Sequence, residues 1–336
     1  MINQLEVTNS VFCDLDTVMI SHNDLDGIGP VIVGTHYFNN FRYFNVSNKA
    51  VNKMVWKVLL DPEYSSAKLI LITDCSVDEE KLIDYIEEEN KSGRRKILLF
   101  DHHDSALELN KYEWAEVTQE EGVSGTLLFF KYMKQKLKDR LHMEVFAKLS
   151  YLVKKISNYD TWVWEKIGDI ECKQLSSLFR NTGPNYFVEK YSEKNWYKYK
   201  PQEIFLKEDL LFLEDLEIKF KYIIFPAVER SARVIDFSFM YKNEHNEDIY
   251  FLKPVKCVTV QSDIGDMAEK LYEDGIDTVA CFYHDSISIR SRDPELHLGM
   301  WAKNWGGGGH KGSAGFYLNK NNFHIYMNYL KLKFNQ

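Results

Sequence analysis

With 336 residues, 45% of them apolar and 27% charged, the chain is long enough for two globular domains that each bury a full core. Its net charge of −8, from 50 acids against 42 bases, weighs against a long basic groove, because long-duplex binding is driven by many neutralised phosphates. No run approaches the roughly 20 apolar residues of a membrane span. The start MINQLEVTNSVFCDLD lacks a basic-then-apolar secretory pattern, and the five scattered cysteines form no CxxC pair, which predicts free thiols in a reducing, cytoplasmic setting.

In chain order, TVMISH (17–22) and RYFNVSN (42–48) read as strands. KLILITD (68–74) and RKILLFDHH (95–103) are continuous apolar runs that end in Asp and in Asp-His-His. Helical periods lie near 49–60 and 78–90, with two more helices over 123–139 and 142–156. Apolar strands separated by helices predict an α/β fold, a parallel sheet covered on both faces. From 166 to 225 the chain turns rich in Lys, Glu and Tyr, with the turn signal NTGPN (181–185) and a charged helix near 202–222. This stretch reads as a helical linker, with an extension of the first domain as the alternative. From 226 a smaller α/β domain is expected, with strands near 231–239, 255–261, 277–283 and 286–292. A helix over 262–274 and a glycine-rich turn at 306–309 complete it. The domains are then 1–165, a linker at 166–225, and 226–336.

In open parallel sheets, ligands bind beyond the carboxyl ends of the strands. His22, Asp24, Asp26, Asp74, Asp101, His102 and His103 all fall at such ends. In SHNDLDG (21–27) the His and two Asp alternate, so an extended segment would put them on one face. Imidazoles and carboxylates together suit manganese and related divalent ions. A lone Asp74 in ITDCS reads first as a helix cap, and SHNDLDG alone equally as a polar turn. FDHHD (100–104) is the sharpest local signal. In NYDTWVW (158–164), Asp160 follows an amphipathic helix and can reach back to the same edge. In WGGGGHKGSAGF (305–316) the glycines suit backbone N–H groups closing around an anion, with His310 and Lys311 beside them. Arg290, on an expected strand with Arg292, can fork onto a phosphate or simply face solvent.

SHNDLDG, ITD, DHH, NYDTW and GGGGHKGSAGF, in that order over about residues 17–318, resemble the DHH phosphoesterase superfamily with its DHH-associated C-terminal domain. Within it the chain looks most like the NrnB-type oligoribonucleases, or nanoRNases. Many members separate the first His from the first Asp by four positions; here the step is two. The resemblance implies an active site in the cleft between the two domains and two Mn2+ ions, with Mg2+ or Co2+ as substitutes. His22, Asp24 and Asp74 would hold one ion; Asp26, Asp74, His102 and Asp160 the other. Asp101 would orient the first His of the triplet, and His103 would face the scissile phosphate. Arg290, Gly307, Gly308, Gly309 and His310 would hold a substrate phosphate or terminal nucleotide. The implied activity is hydrolysis of short oligonucleotides to nucleoside monophosphates by a metal-activated hydroxide. Competing readings are a phosphatase for linear or cyclic dinucleotides or phosphoadenosine phosphate, a RecJ-like single-strand exonuclease, and a non-catalytic nucleotide sensor. No membrane or long-duplex partner is expected, and a homodimer is left open.

Overall fold

Five parallel strands set the frame of the first half: β1 Thr17–His22, β2 Phe41–Val46, β3 Leu69–Thr73, β4 Lys96–Asp101 and β5 Ala115–Val117, ordered β2-β1-β3-β4-β5. The computed structural model describes residues 12–325 except 138–140, 193–197, 199, 201, 244, 260–267, 269, 273–274 and 284, together with 327 and 331. Two compact units divide the chain, Met1–Leu213 and Glu214–Gln336.

In the first unit every side chain of β3 is buried, as a strand covered on both faces requires. Val18, Ile20, Ile70 and Ile72 pack with helices α2 (Val51–Leu60) and α3 (Glu80–Ser92). The other face takes α1 (Leu25–Tyr37) and α4 (Gly125–Lys136), where the Phe100 and Phe129 rings lie 5.5 Å apart. Register then places the strand ends. Ser21 aligns with Thr73, and Thr73 with Phe100, so the next residues, His22, Asp74 and Asp101, emerge side by side at one edge.

Helices α5 (Met143–Asp160), α6 (Val163–Ile167), α7 (Ile170–Thr182) and α8 (Pro184–Tyr191) follow. α8 packs on α1, with His36 Nε2 2.9 Å from the Tyr191 carbonyl. Lys155 of α5 bridges to Asp169 and Glu171 at 2.7 and 2.6 Å. Lys190 meets Asp209 at 2.6 Å, both almost fully buried, joining α8 to α9 (Lys207–Lys219).

The second unit begins its sheet after α10 (Phe225–Ser231). Strands β6 (Arg233–Lys242), β7 (Asp248–Thr259), β8 (Thr278–Phe282), β9 (Ser286–Ser291), β10 (Gly308–His310) and β11 (Ser313–Tyr317) form a mixed sheet, ordered β10-β11-β9-β8-β7-β6. Its core gathers Phe239, Phe282, Trp301 and Phe316, with Trp301 on α11 (Leu298–Lys303). β7 starts at 248, well before the expected strand. The helix expected over 262–274 lies largely outside the described residues. The glycine-rich turn expected at 306–309 is a strand from Gly308 onward, paired antiparallel with β11. Close packing is the reason: a Cβ on Gly309 would lie 2.3 Å from the Ser313 carbonyl oxygen. Among the described residues, no helix is long and apolar enough to cross a membrane.

Candidate metal centre

The strand β1 ends at His22, and the chain turns at once into α1. Asp24 is the helix N-cap, accepting the Gly27 N–H at 2.9 Å, a contact worth about 1 kcal/mol. Asp26 sits in the first helical turn. The expected alternation along an extended segment is therefore corrected: a cap competes for the same residues, and helical geometry sends Asp24 and Asp26 to different neighbours. His22 Nδ1 lies 2.8 Å from Asp24 and 3.9 Å from Asp74. His102 Nε2 lies 3.6 Å from Asp26 and 3.3 Å from both Asp74 and Asp160. Donor atoms fall within 4.8 Å of one another in three sets: His22, Asp24 and Asp74; Asp26, His102 and Asp160; and Asp74, His102 and His103.

Asp74 is the hinge of this arrangement. Its backbone is left-handed, φ 54°, a conformation that Asp tolerates better than most residues. Such a site stores about 1–3 kcal/mol of strain. The side chain is 1% exposed, and among the described residues none donates a hydrogen bond to either carboxylate oxygen. Burial, then the Asp26, Asp24 and Asp160 carboxylates, push its pKa well above the usual range. A buried acceptor pair without donors, ringed by like charges, is a poor structural feature in itself. It fits divalent cations, and the all-oxygen and imidazole donor set is of the kind manganese takes. Around it, partial desolvation opposes charge on Asp24, but the His22 ring at 2.8 Å and the Gly27 N–H together hold its carboxyl low. Burial lowers the His102 pKa, as neutral ligand behaviour requires.

Asp101, 1% exposed, accepts the His102 backbone N–H at 2.8 Å and the ring Nδ1 of His103 at 2.7 Å. The Ser76 hydroxyl donates to its other oxygen. The ring it holds is thus the second His of the triplet, not the first as expected. The cause is local: β4 ends at Asp101, and the turn brings the ring of His103 back over its carboxylate. Burial would lower the His103 pKa, but the Asp101 hydrogen bond and charge raise it to about 9.

In the second unit, Arg290 of β9 and His310 of β10 are both register partners of Ser313. Cross-strand partners share a face, so Arg290, Ser313 and His310 form one row. Gly307 precedes β10, and Gly308 and Gly309 lie within it. Sequence reasoning missed Ser76, and it missed the backbone N–H groups of Gly125 and Thr126, which donate to Asp26 at 2.8 and 3.2 Å. Ser124, before the helical run 125–136, was the available signal, since Ser is a favoured N-cap.

Residues 16–153 match the DHH family, N-terminal domain. Over 314 residues the chain is 27% identical to Oligoribonuclease NrnB of Bacillus subtilis (strain 168), covering 88% of this chain and 71% of that protein. Among solved structures it is similar in fold to the pGpG-specific phosphodiesterase PggH of Vibrio cholerae. There the TM-score is 0.51 at 11% identity, over 95% of this chain and 99% of that one. A structure of exonuclease RecJ bound to manganese matches with a TM-score of 0.49 at 13% identity, over 94% and 89% of the two chains.

Proposed function

From the match of residues 16–153 to the DHH family, N-terminal domain, we propose that the chain is a metal-dependent phosphoesterase that hydrolyses short oligonucleotides to nucleoside monophosphates. The observation that carries this reading is Asp74, a buried carboxylate whose two oxygens lack hydrogen bonds and which shares donor sets with His22 and Asp24 on one side and His102 on the other. His22, Asp24 and Asp74 would hold one divalent cation, and Asp26, Asp74, His102 and Asp160 a second, with manganese the first choice and magnesium or cobalt as substitutes. When bound, such a pair lowers the pKa of a water and screens charge on phosphoryl oxygens.

The chain's own residues supply the rest. His103, held by Asp101 and protonated at neutral pH, donates to a non-bridging oxygen of the scissile phosphate. Arg290 and His310, in their shared row, hold a terminal phosphate, with the N–H groups of Gly307–Gly309 beside them. The acidic net charge favours substrates of a few nucleotides over long strands. NrnB, named an oligoribonuclease, supports the same substrate class for this chain. All five cysteines are buried thiols, and a reducing, cytoplasmic setting is part of the proposal. A substrate panel tests the reading: RNA and DNA of two to about ten nucleotides, cyclic dinucleotides and phosphoadenosine phosphate, with Mn2+ and with chelator. Fastest release of monomers from the shortest strands, abolished by chelator, is expected. Hydrolysis of long strands as fast as dinucleotides, or of none of them, contradicts it.

A further inference from the structure

The turn Gly122–Thr126 and the start of α4 contact or brace three of the candidate ligands. The Gly125 and Thr126 N–H groups donate to the two oxygens of Asp26, one each. The Thr126 hydroxyl donates to the Asp26 carbonyl at 2.5 Å. That carbonyl would ordinarily accept from residue 30 in helix α1, but residue 30 is Pro and has no N–H. Gly125 also lies against Asp74: a Cβ there would fall 2.8 Å from the Asp74 Cβ and 3.0 Å from its Cα. Finally, Ser157, buried on α5 one turn before Asp160, accepts the Ser124 N–H at 3.1 Å and donates to the Gly122 carbonyl at 2.9 Å.

We propose that Gly122–Thr126 is a positioning element that fixes the spacing of Asp26, Asp74 and Asp160 and thereby sets cation affinity, with Gly125 its most sensitive residue. This rests on the metal-centre reading above. A carboxylate oxygen has two lone pairs. An N–H on each oxygen of Asp26 fixes its rotamer and leaves the remaining lone pairs free for a cation. Without such a brace, clustered carboxylates would spread under their own repulsion, and cation binding would have to draw them together. The absence of a side chain at 125 lets the same turn approach Asp74, and the Ser157 bonds tie it to the helix that carries Asp160.

The test is Mn2+ titration of the full, chelator-stripped chain by calorimetry, without substrate, for wild type, Gly125→Ala and Ser157→Ala, alongside melting of each apo form. Gly125→Ala is expected to weaken binding at least about tenfold, the usual scale for supports outside the ligand shell. Ser157→Ala is expected to weaken one of two binding steps and spare the other. Folded variants that bind Mn2+ like wild type overturn the proposal, even if their apo melting falls. Should Gly125→Ala fail to fold, Ser157→Ala decides alone. Wild type that binds no Mn2+ overturns both this proposal and the metal-centre reading. Wild type that binds Mn2+ but hydrolyses no nucleotide, with the variants weakened, sinks only the proposed activity and supports the positioning role.

Discussion

Asp74→Asn should have opposite effects on stability with and without metal. In chelator, the buried carboxyl receives no hydrogen bond from the described residues and faces Asp24, Asp26 and Asp160. An amide of the same shape removes one like charge and offers N–H groups to those neighbours. Relief of an unsatisfied buried group is worth about 1–3 kcal/mol. For a unit of the size of Met1–Leu213, each kcal/mol moves the melting temperature by roughly 2–4 °C, so the variant should melt several degrees higher. The pH dependence has a definite sign. The folded Asp74 pKa lies above its ordinary 3.8, so its contribution to stability is complete below that value and lost as pH rises through the folded one. The gap between variant and wild type in chelator should therefore widen from acid toward neutral pH. With Mn2+ at a hundred times its Kd, each occupied site adds about 2.7 kcal/mol to the wild type, or roughly 5–11 °C. The variant should gain little of this, so the two melting curves exchange order. Scanning calorimetry in chelator and in Mn2+ reads both arms. A variant that melts below wild type in chelator and rises in parallel with it in Mn2+ refutes the reasoning.

Asp101→Asn should leave the Mn2+ stoichiometry intact while kcat falls roughly a hundredfold, the scale of losing one positioned donor, because the His103 ring loses its charged anchor; steady-state rates on one dinucleotide check it, and a full kcat contradicts it. Lys190→Met leaves the buried Asp209 carboxylate without its lysine, with only the Leu206 N–H still donating to it among the described residues, and should cost about 3 kcal/mol by urea unfolding, with Lys190→Met plus Asp209→Leu recovering most of the loss. Arg290→Ala should raise KM for a dinucleotide roughly ten- to a hundredfold, as the loss of a charge-assisted contact of roughly 1.5–3 kcal/mol implies, with Mn2+ affinity unchanged. An unaltered KM removes Arg290 from the substrate site.

The strand ends were legible because β1, β3 and β4 are unbroken apolar runs, and apolar runs that stop at Asp or His betray the edge of a buried sheet. Helix α1 was not. LDGIGPVIVGTHY carries Gly27, Gly29, Pro30 and Gly34, all poor helix formers, and it is buried on nearly every side. A helix without a polar face shows no period of 3.6 to read. What permits it is tertiary: the Thr126 hydroxyl fills the bond that Pro30 cannot make. The same limit applies to Asp101. Which histidine it holds depends on how the backbone turns after β4, and DHH as a string of letters is silent on that. The glycines at 306–309 misled for a related reason. Their composition favours a turn, but β11 lies so close that a Cβ on Gly307 or Gly309 would clash with it.

The central claim is that one buried aspartate joins two cation sites. Anomalous scattering from crystals grown with Mn2+ measures this directly. Two manganese peaks, each within bonding distance of an Asp74 oxygen, are expected, one also on His22 and the other on His102. No peak, or peaks with Asp74 outside bonding distance of both, contradicts the account.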